Sequence, residues 1–172
     1  MTEAPTVTIT HLEMLAPPRQ VVPTPLGKIA IIRANDLPLH FYRYLYETVG
    51  AAHSWIDRNR LDDEALGAII NDDLVEIYVL YVDGCPAGYA ELDLRKKNAE
   101  ELAYFGLMPE YTSRGLGKFF LSSAIHTAWS NDIERLTVQT CTLDHPAALP
   151  LYQKMGFTPY AQTSQVLLSP DE

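Results

Sequence analysis

The spacing of apolar residues changes several times along the chain, and each change marks an element. Residues Thr6 to Met14 alternate apolar and polar and predict a strand. The stretch after it, Ala16 to Gly27, holds Pro17, Pro18, Pro23 and Pro25, which exclude regular helix and predict an irregular arm. Lys28 to Arg33 reads as a strand. A spacing of three and four then runs through Phe41, Leu45, Tyr46 and Val49 and, after a break near Gly50, through Trp55, Ile56, Leu61, Leu66 and Ile69. Two or three helices are expected, the first capped by Asn35 or Asp36 with Pro38 in its first turn.

From Glu76 the period returns to two. Glu76 to Val82 and Pro86 to Asp93 flank the turn dipeptide Asp83-Gly84 and predict a hairpin, and Ala99 to Met108 predicts a third strand closed by Pro109. A long amphipathic helix begins near Gly115, with Leu116, Phe119, Phe120, Ala124, Ile125, Ala128 and Trp129 on its apolar face, and ends by Asn131-Asp132. Arg135 to Cys141 alternates as a strand. Asp144 or His145 is placed to cap a helix with Pro146 in its first turn, Gly156 ends that helix, and Ala161 to Leu168 predicts a last strand. Helices, a meander and then strand–helix–strand–helix–strand give an α/β (α+β) fold, a mixed sheet with helices on its faces. Residues 1–27 are expected as an N-terminal strand and Pro-rich arm packed on a single domain of residues 28–172.

Composition narrows the chemistry only in part. With 172 residues, 47% of them hydrophobic, the chain can build one core. Its 13 Lys and Arg against 22 Asp and Glu leave a formal charge of -9, which disfavours a nucleic-acid partner. Arg95, Lys96 and Lys97 are adjacent but read as a polar turn. Two cysteines, Cys85 and Cys141, have no paired spacing, and five scattered histidines suggest no metal. The segment from Met1 to Gln20 shows no basic leader with an apolar stretch, and no run approaches the ~20 apolar residues of a membrane span, so a cytoplasmic location and no membrane partner are expected.

The chemistry is concentrated in two segments. In the first, the strand ending at Leu107-Met108 enters Thr112-Ser113-Arg114-Gly115-Leu116-Gly117-Lys118 and opens the long helix. Backbone N–H groups of a helix start lack intrahelical partners, and together with the helix dipole they suit a pyrophosphate, which glycines can admit close to the backbone. Neither familiar nucleotide loop is present: there is no Gly-x-x-x-x-Gly-Lys-Ser/Thr, and Phe120 stands where a dinucleotide fingerprint has its third glycine. The second segment is His145-Pro-Ala-Ala-Leu-Pro-Leu-Tyr152-Gln-Lys-Met-Gly156-Phe157.

At these two places the sequence resembles the GNAT superfamily of acyl-CoA N-acyltransferases, whose motifs are Gln/Arg-x-x-Gly-x-Gly/Ala at a strand–helix junction and Asn-x-x-Ala-x-x-Leu-Tyr-x-x-x-Gly-Phe further on. The likeness extends over roughly Glu76 to Phe157. Thr112 replaces the usual Gln or Arg, His145 replaces Asn, and Pro150 is unusual inside a helix. The resemblance implies a mostly antiparallel sheet whose strands splay at the acyl-CoA site. It implies acetyl-CoA as cosubstrate, held by Phe105, Leu107, Met108, Arg114, Gly115, Leu116, Gly117, Lys118, His145 and Tyr152. Tyr152 matches the tyrosine that serves the leaving thiolate, and a backbone N–H near Leu107 matches the oxyanion donor. Glu101 is the first candidate for the base, with Glu91 and Asp93 in reserve. Tyr42, Tyr46, His53 and Trp55 are candidates for an aromatic wall at the acceptor, and Arg58 and Arg60 for a substrate carboxylate. The expected activity is N-acetyl transfer to a primary amine of a small molecule, against transfer to protein or peptide amines or a non-catalytic acyl-CoA-binding module. A homodimer is left open.

Overall fold

The computed structural model describes residues 5–167. Its elements run β1 (Thr6–Met14), β2 (Ile29–Ala34), α1 (Leu39–Gly50), a 3-10 turn (Ala51–His53), α2 (Asp63–Ile70), β3 (Val75–Val82), β4 (Cys85–Asp93) and β5 (Ala99–Leu107). A second 3-10 turn (Pro109–Tyr111), α3 (Leu116–Ser130), β6 (Arg135–Cys141), α4 (Ala148–Lys154) and β7 (Thr158–Val166) complete the order. The strands form one sheet in the order β2-β3-β4-β5-β6-β1-β7. Every pairing is antiparallel except that of β5 with β6.

Two apolar layers cover the sheet because alternate strand residues point to opposite faces. On one face Leu80, Leu92, Leu102, Leu136 and Val138 pack with Phe120, Leu121 and Ile125 of α3 and Tyr152 of α4. On the other, Ile77, Val79 and Tyr89 pack with Tyr42, Leu45, Tyr46 and Val49 of α1 and Leu66 of α2. β1 lies between β6 and β7, so it is an interior strand of the sheet. β7 pairs with β1 alone and is exposed throughout. The last strand starts three residues earlier than its apolar pattern suggests, and Leu168 lies outside the described residues.

Three local expectations change. Neither Asn35 nor Asp36 caps α1: Pro38 is its N-cap residue, and Asp36 sits in the left-handed region at φ 50°. Residues 55–61 are not helical. Ser54 turns left-handed at φ 57°, and α2 starts only where the Asp62 carboxylate accepts from Ala65 N–H at 2.8 Å. α4 likewise starts late, at Ala148, with no side-chain cap. Asp144 instead accepts from Thr140 Oγ1 and Cys141 N–H, and His145 Nδ1 accepts from Ala147 N–H. Pro150 therefore falls in the first turn, where its missing N–H had no intrahelical partner to lose.

Candidate active site

The site is made by a strand pair that comes apart. β5 and β6 pair in parallel from Ala99↔Arg135 to Leu102↔Val138 and no further. At that point the register of β5 on β4 slips: Leu92 faces Leu102 and Glu91 faces Tyr104, leaving Ala103 as an extra residue. A bulge bends the strand that carries it, and here β5 follows β4 away from β6. Met108 N–H donates to Ala87 O at 2.8 Å, so by alternation the amide groups of Phe105 and Leu107 face the cleft. The result is a short unpaired sheet edge, able to hydrogen-bond an extended ligand as a strand would.

The cleft opens into a cavity of about 560 Å³ that passes between the diverging strands. Thr112, Ser113, Gly117, His145, Ala148, Leu151 and Tyr152 line it towards α3 and α4, and Tyr46, Val49, His53, Trp55, Asp57 and Arg60 towards α1. Such a volume is that of a site for a sizeable small molecule. Gly115 caps α3 at φ 75°, a conformation that costs glycine least, and Lys118 is the charged residue of the first turn. The free N–H groups there and the helix dipole favour an anion.

Tyr152 is 7% exposed and lines the cavity; its ring meets Phe157 edge-on, and its hydroxyl has no hydrogen-bond partner among the described residues. Burial, then the charge of Asp144, raises its pKa above that of an ordinary phenol, so the proton stays on the oxygen. The acidic side chains behave differently. Glu91 is fully buried, accepting from Tyr42 Oη and Arg58 Nη2 at 2.6 Å each, and Arg58 also sits 5.2 Å over the Tyr104 ring. Asp93 is held by Arg95 at 2.8 Å; burial would raise its pKa, but the Arg95 bonds win and leave it lowered. Glu101 stands opposite Asp93 and Thr137, and burial raises its pKa against the opposing charge of Lys96.

The acetyltransferase (GNAT) family model matches residues 35–157. This chain belongs to the GNAT acetyltransferase family. Solved structures agree in fold. A GCN5-related N-acetyltransferase from Kribbella flavida superposes with a TM-score of 0.60 at 16% identity, covering 91% of this chain and 56% of that one. An aminoglycoside acetyltransferase from an uncultured soil metagenomic sample, in complex with sisomicin, gives 0.64 at 16% identity, with coverages of 82% and 95%. An IAA acetyltransferase from Bacillus cereus gives 0.60 at 20% identity, with coverages of 78% and 79%. The chain spans about three-fifths of the length of the first such neighbours. No curated protein sequence matches it.

Within this GNAT fold, the residues expected at the cosubstrate separate into two groups. Phe105, Leu107, Gly117, His145 and Tyr152 line the cavity together. Met108, Arg114, Gly115, Leu116 and Lys118 do not: Met108 and Leu116 are buried in the two core layers, and Arg114 lies 5.2 Å over the Tyr111 ring. Glu101 is also outside the lining, as are Glu91 and Asp93. Arg58 is unsuited to a substrate carboxylate because its guanidinium already holds Glu91. Tyr42 is fully buried and forms no wall, whereas Tyr46, His53 and Trp55 line the cavity. Tyr104 and Asp57 escaped the sequence reading. Tyr104 is on the strand already singled out, and its ring packs 5.1 Å from both Tyr46 and Trp55. Asp57 lies in the segment misread as helix. No group of acidic, histidine or cysteine side chains able to hold a metal occurs among the described residues.

Proposed function

We propose that this GNAT chain moves an acetyl group from acetyl-CoA to a primary amine of a small molecule by direct transfer. The observation that carries this reading is the free β5 edge beyond Leu102, facing the unpartnered Tyr152 hydroxyl across one cavity. The residues fit the cosubstrate. The Phe105 and Leu107 amide groups would hold an extended pantetheine, the α3 N-terminus the pyrophosphate, and His145 the chain between them, since its Nδ1 already accepts from Ala147 and its Nε2–H is left to donate. When bound, acetyl-CoA supplies an activated acyl group on a thiol leaving group. Leu107 N–H would stabilise negative charge on the carbonyl oxygen, and Tyr152 would give its proton to the departing sulfur. The sisomicin complex of the aminoglycoside acetyltransferase neighbour supports a small-molecule acceptor over a protein one.

Calorimetric titration with acetyl-CoA, followed by thiol release against a panel of amines, tests the reading. Binding with release from one amine class is expected, and Tyr152→Phe should lower kcat about 10²-fold while leaving acetyl-CoA affinity unchanged. Failure to bind acetyl-CoA, or binding without release from any amine, would overturn it; undiminished turnover in Tyr152→Phe would remove that residue from the chemistry.

A further inference from the structure

An alkylamine with a pKa of about 10.4 reaches the site protonated and must lose a proton before it can attack. The acceptor of that proton has to line the cavity and keep a lone pair free. Asp144 and Asp57 line it and are rivals for the role: one oxygen of Asp144 accepts from Thr140 Oγ1 and Cys141 N–H, fixing it to the β6–α4 turn, while its other oxygen stays open among the described residues. His145 has its Nδ1 lone pair occupied by Ala147 N–H, so the neutral ring carries its hydrogen on Nε2 and can only donate. Glu101 is outside the lining.

His53 is arranged the other way. Its Nδ1 lies 3.3 Å from Leu143 O, and since a carbonyl oxygen has no proton to give, Nδ1 carries the hydrogen. Nε2 then keeps its lone pair, with no protein partner among the described residues, in a half-buried ring on the cavity wall. The position is set by packing. Val49 seats directly on Gly106 of β5, where a Cβ would lie 2.4 Å from Val49 Cγ1. His53 follows one helical turn later on the same face and reaches Leu143 beyond β6. It therefore stands over the gap between the two diverging strands.

We propose that His53 Nε2 is the general base that deprotonates the acceptor amine, an assignment that rests on the acetyltransfer reading of this cavity. The ammonium gives its proton to Nε2, which later returns it to solvent. The freed nitrogen lone pair forms the C–N bond at the thioester carbonyl, and the C–S bond breaks with its electron pair on sulfur. Tyr152 protonates that sulfur and is reprotonated by the second proton leaving nitrogen, so one proton is released overall. His145 lies 6.4 Å away between centroids, and the other charged or titratable side chains lining the same cavity are Asp144 from the β6–α4 turn, Cys141 from β6, Asp57 and Arg60 from its own connection, and the phenols of Tyr46, Tyr104 and Tyr152.

Two measurements test this. Nitrogen-15 NMR of the neutral imidazole, on the protein without cosubstrate, should show hydrogen on Nδ1 and none on Nε2; the opposite tautomer overturns the proposal whatever the activity. The pH profile of kcat is then compared among wild type, His53→Gln, Asp57→Asn, Asp144→Asn and Glu101→Gln, with acetyl-CoA affinity measured on each. His53→Gln should keep its affinity, lose about 10²-fold in kcat near neutral pH and lose the acid limb, while the other three variants retain that limb whatever their effect on kcat. An acid limb that survives in His53→Gln, or vanishes in Asp57→Asn, Asp144→Asn or Glu101→Gln, overturns the assignment alone. A wild type that binds acetyl-CoA but releases thiol to no amine overturns the acetyltransfer reading and the assignment with it.

Discussion

At the scale of single residues, burial decides the chemistry of the carboxylates. Glu100 and Glu101 are neighbours in sequence, yet alternation sends them to opposite faces of the sheet. Glu100 is 1% exposed, its Oε1 has no partner, and its Oε2 accepts only a 3.4 Å bond from Asn131 Nδ2. Burial, opposed by that bond and assisted by the charges of Glu76 and Asp93, raises its pKa from the ordinary 4.5 to about 8. A folded-state pKa above the unfolded one means that the folded protein binds the proton more tightly. The resulting stabilisation is complete below the unfolded value and is lost as pH rises through the folded value. Wild-type stability should therefore fall between about pH 5 and 8 by an amount on the order of a few kcal/mol, and Glu100→Gln should flatten that slope. Equal slopes for the two proteins in chemical denaturation would show that Glu100 is not the group responsible.

Among the elements, β1 carries more than its place at the start of the sequence suggests. It pairs along its length with β6 on one side and β7 on the other, its Leu12 is fully buried, and its Val7 and Ile9 line the cavity. Removing residues 1–14 would strip β7 of its sheet neighbour and open the β6 edge. A truncated chain is expected to lose its cooperative thermal transition, whereas Leu12→Ala, which deletes a fully packed side chain, should cost about 2–5 kcal/mol and remain folded. A truncated protein melting at the wild-type temperature would make β1 an accessory. The bulge at Ala103 is the other decisive element feature, since the strand leaves its parallel neighbour there.

Across the whole molecule, the cavity joins the two helical layers through the sheet, and a ligand filling it would tie together elements from both ends of the chain. Acetyl-CoA at about 100 times its Kd should then stabilise the fold by about 2.7 kcal/mol, and raise Tm by about 5–10 °C for a chain of this size. An unchanged melting temperature at saturation would mean that the ligand binds the unfolded chain as well as the folded one, or does not bind. Most of this architecture was legible in the sequence. The strands β1 and β6 carry clean alternation, Asp83-Gly84 marks its hairpin, and the Gly115 and Tyr152 segments keep the family's spacing, because these are local properties of neighbouring residues. The irregular stretch 55–61 was not, since Trp55, Ile56 and Leu61 happen to fall at helical intervals while Ser54 breaks the helix through a left-handed turn. Nor could periodicity show that Arg58 would be consumed by Glu91, that Glu101 would fall outside the cavity, or that His53 would line it with Nδ1 held by Leu143 O. Sequence alone determined most of the elements and the family they build. The protonation states and partners of the side chains at the site were decided only by tertiary packing, because burial and hydrogen bonding depend on residues that are far apart in the chain and close together in space.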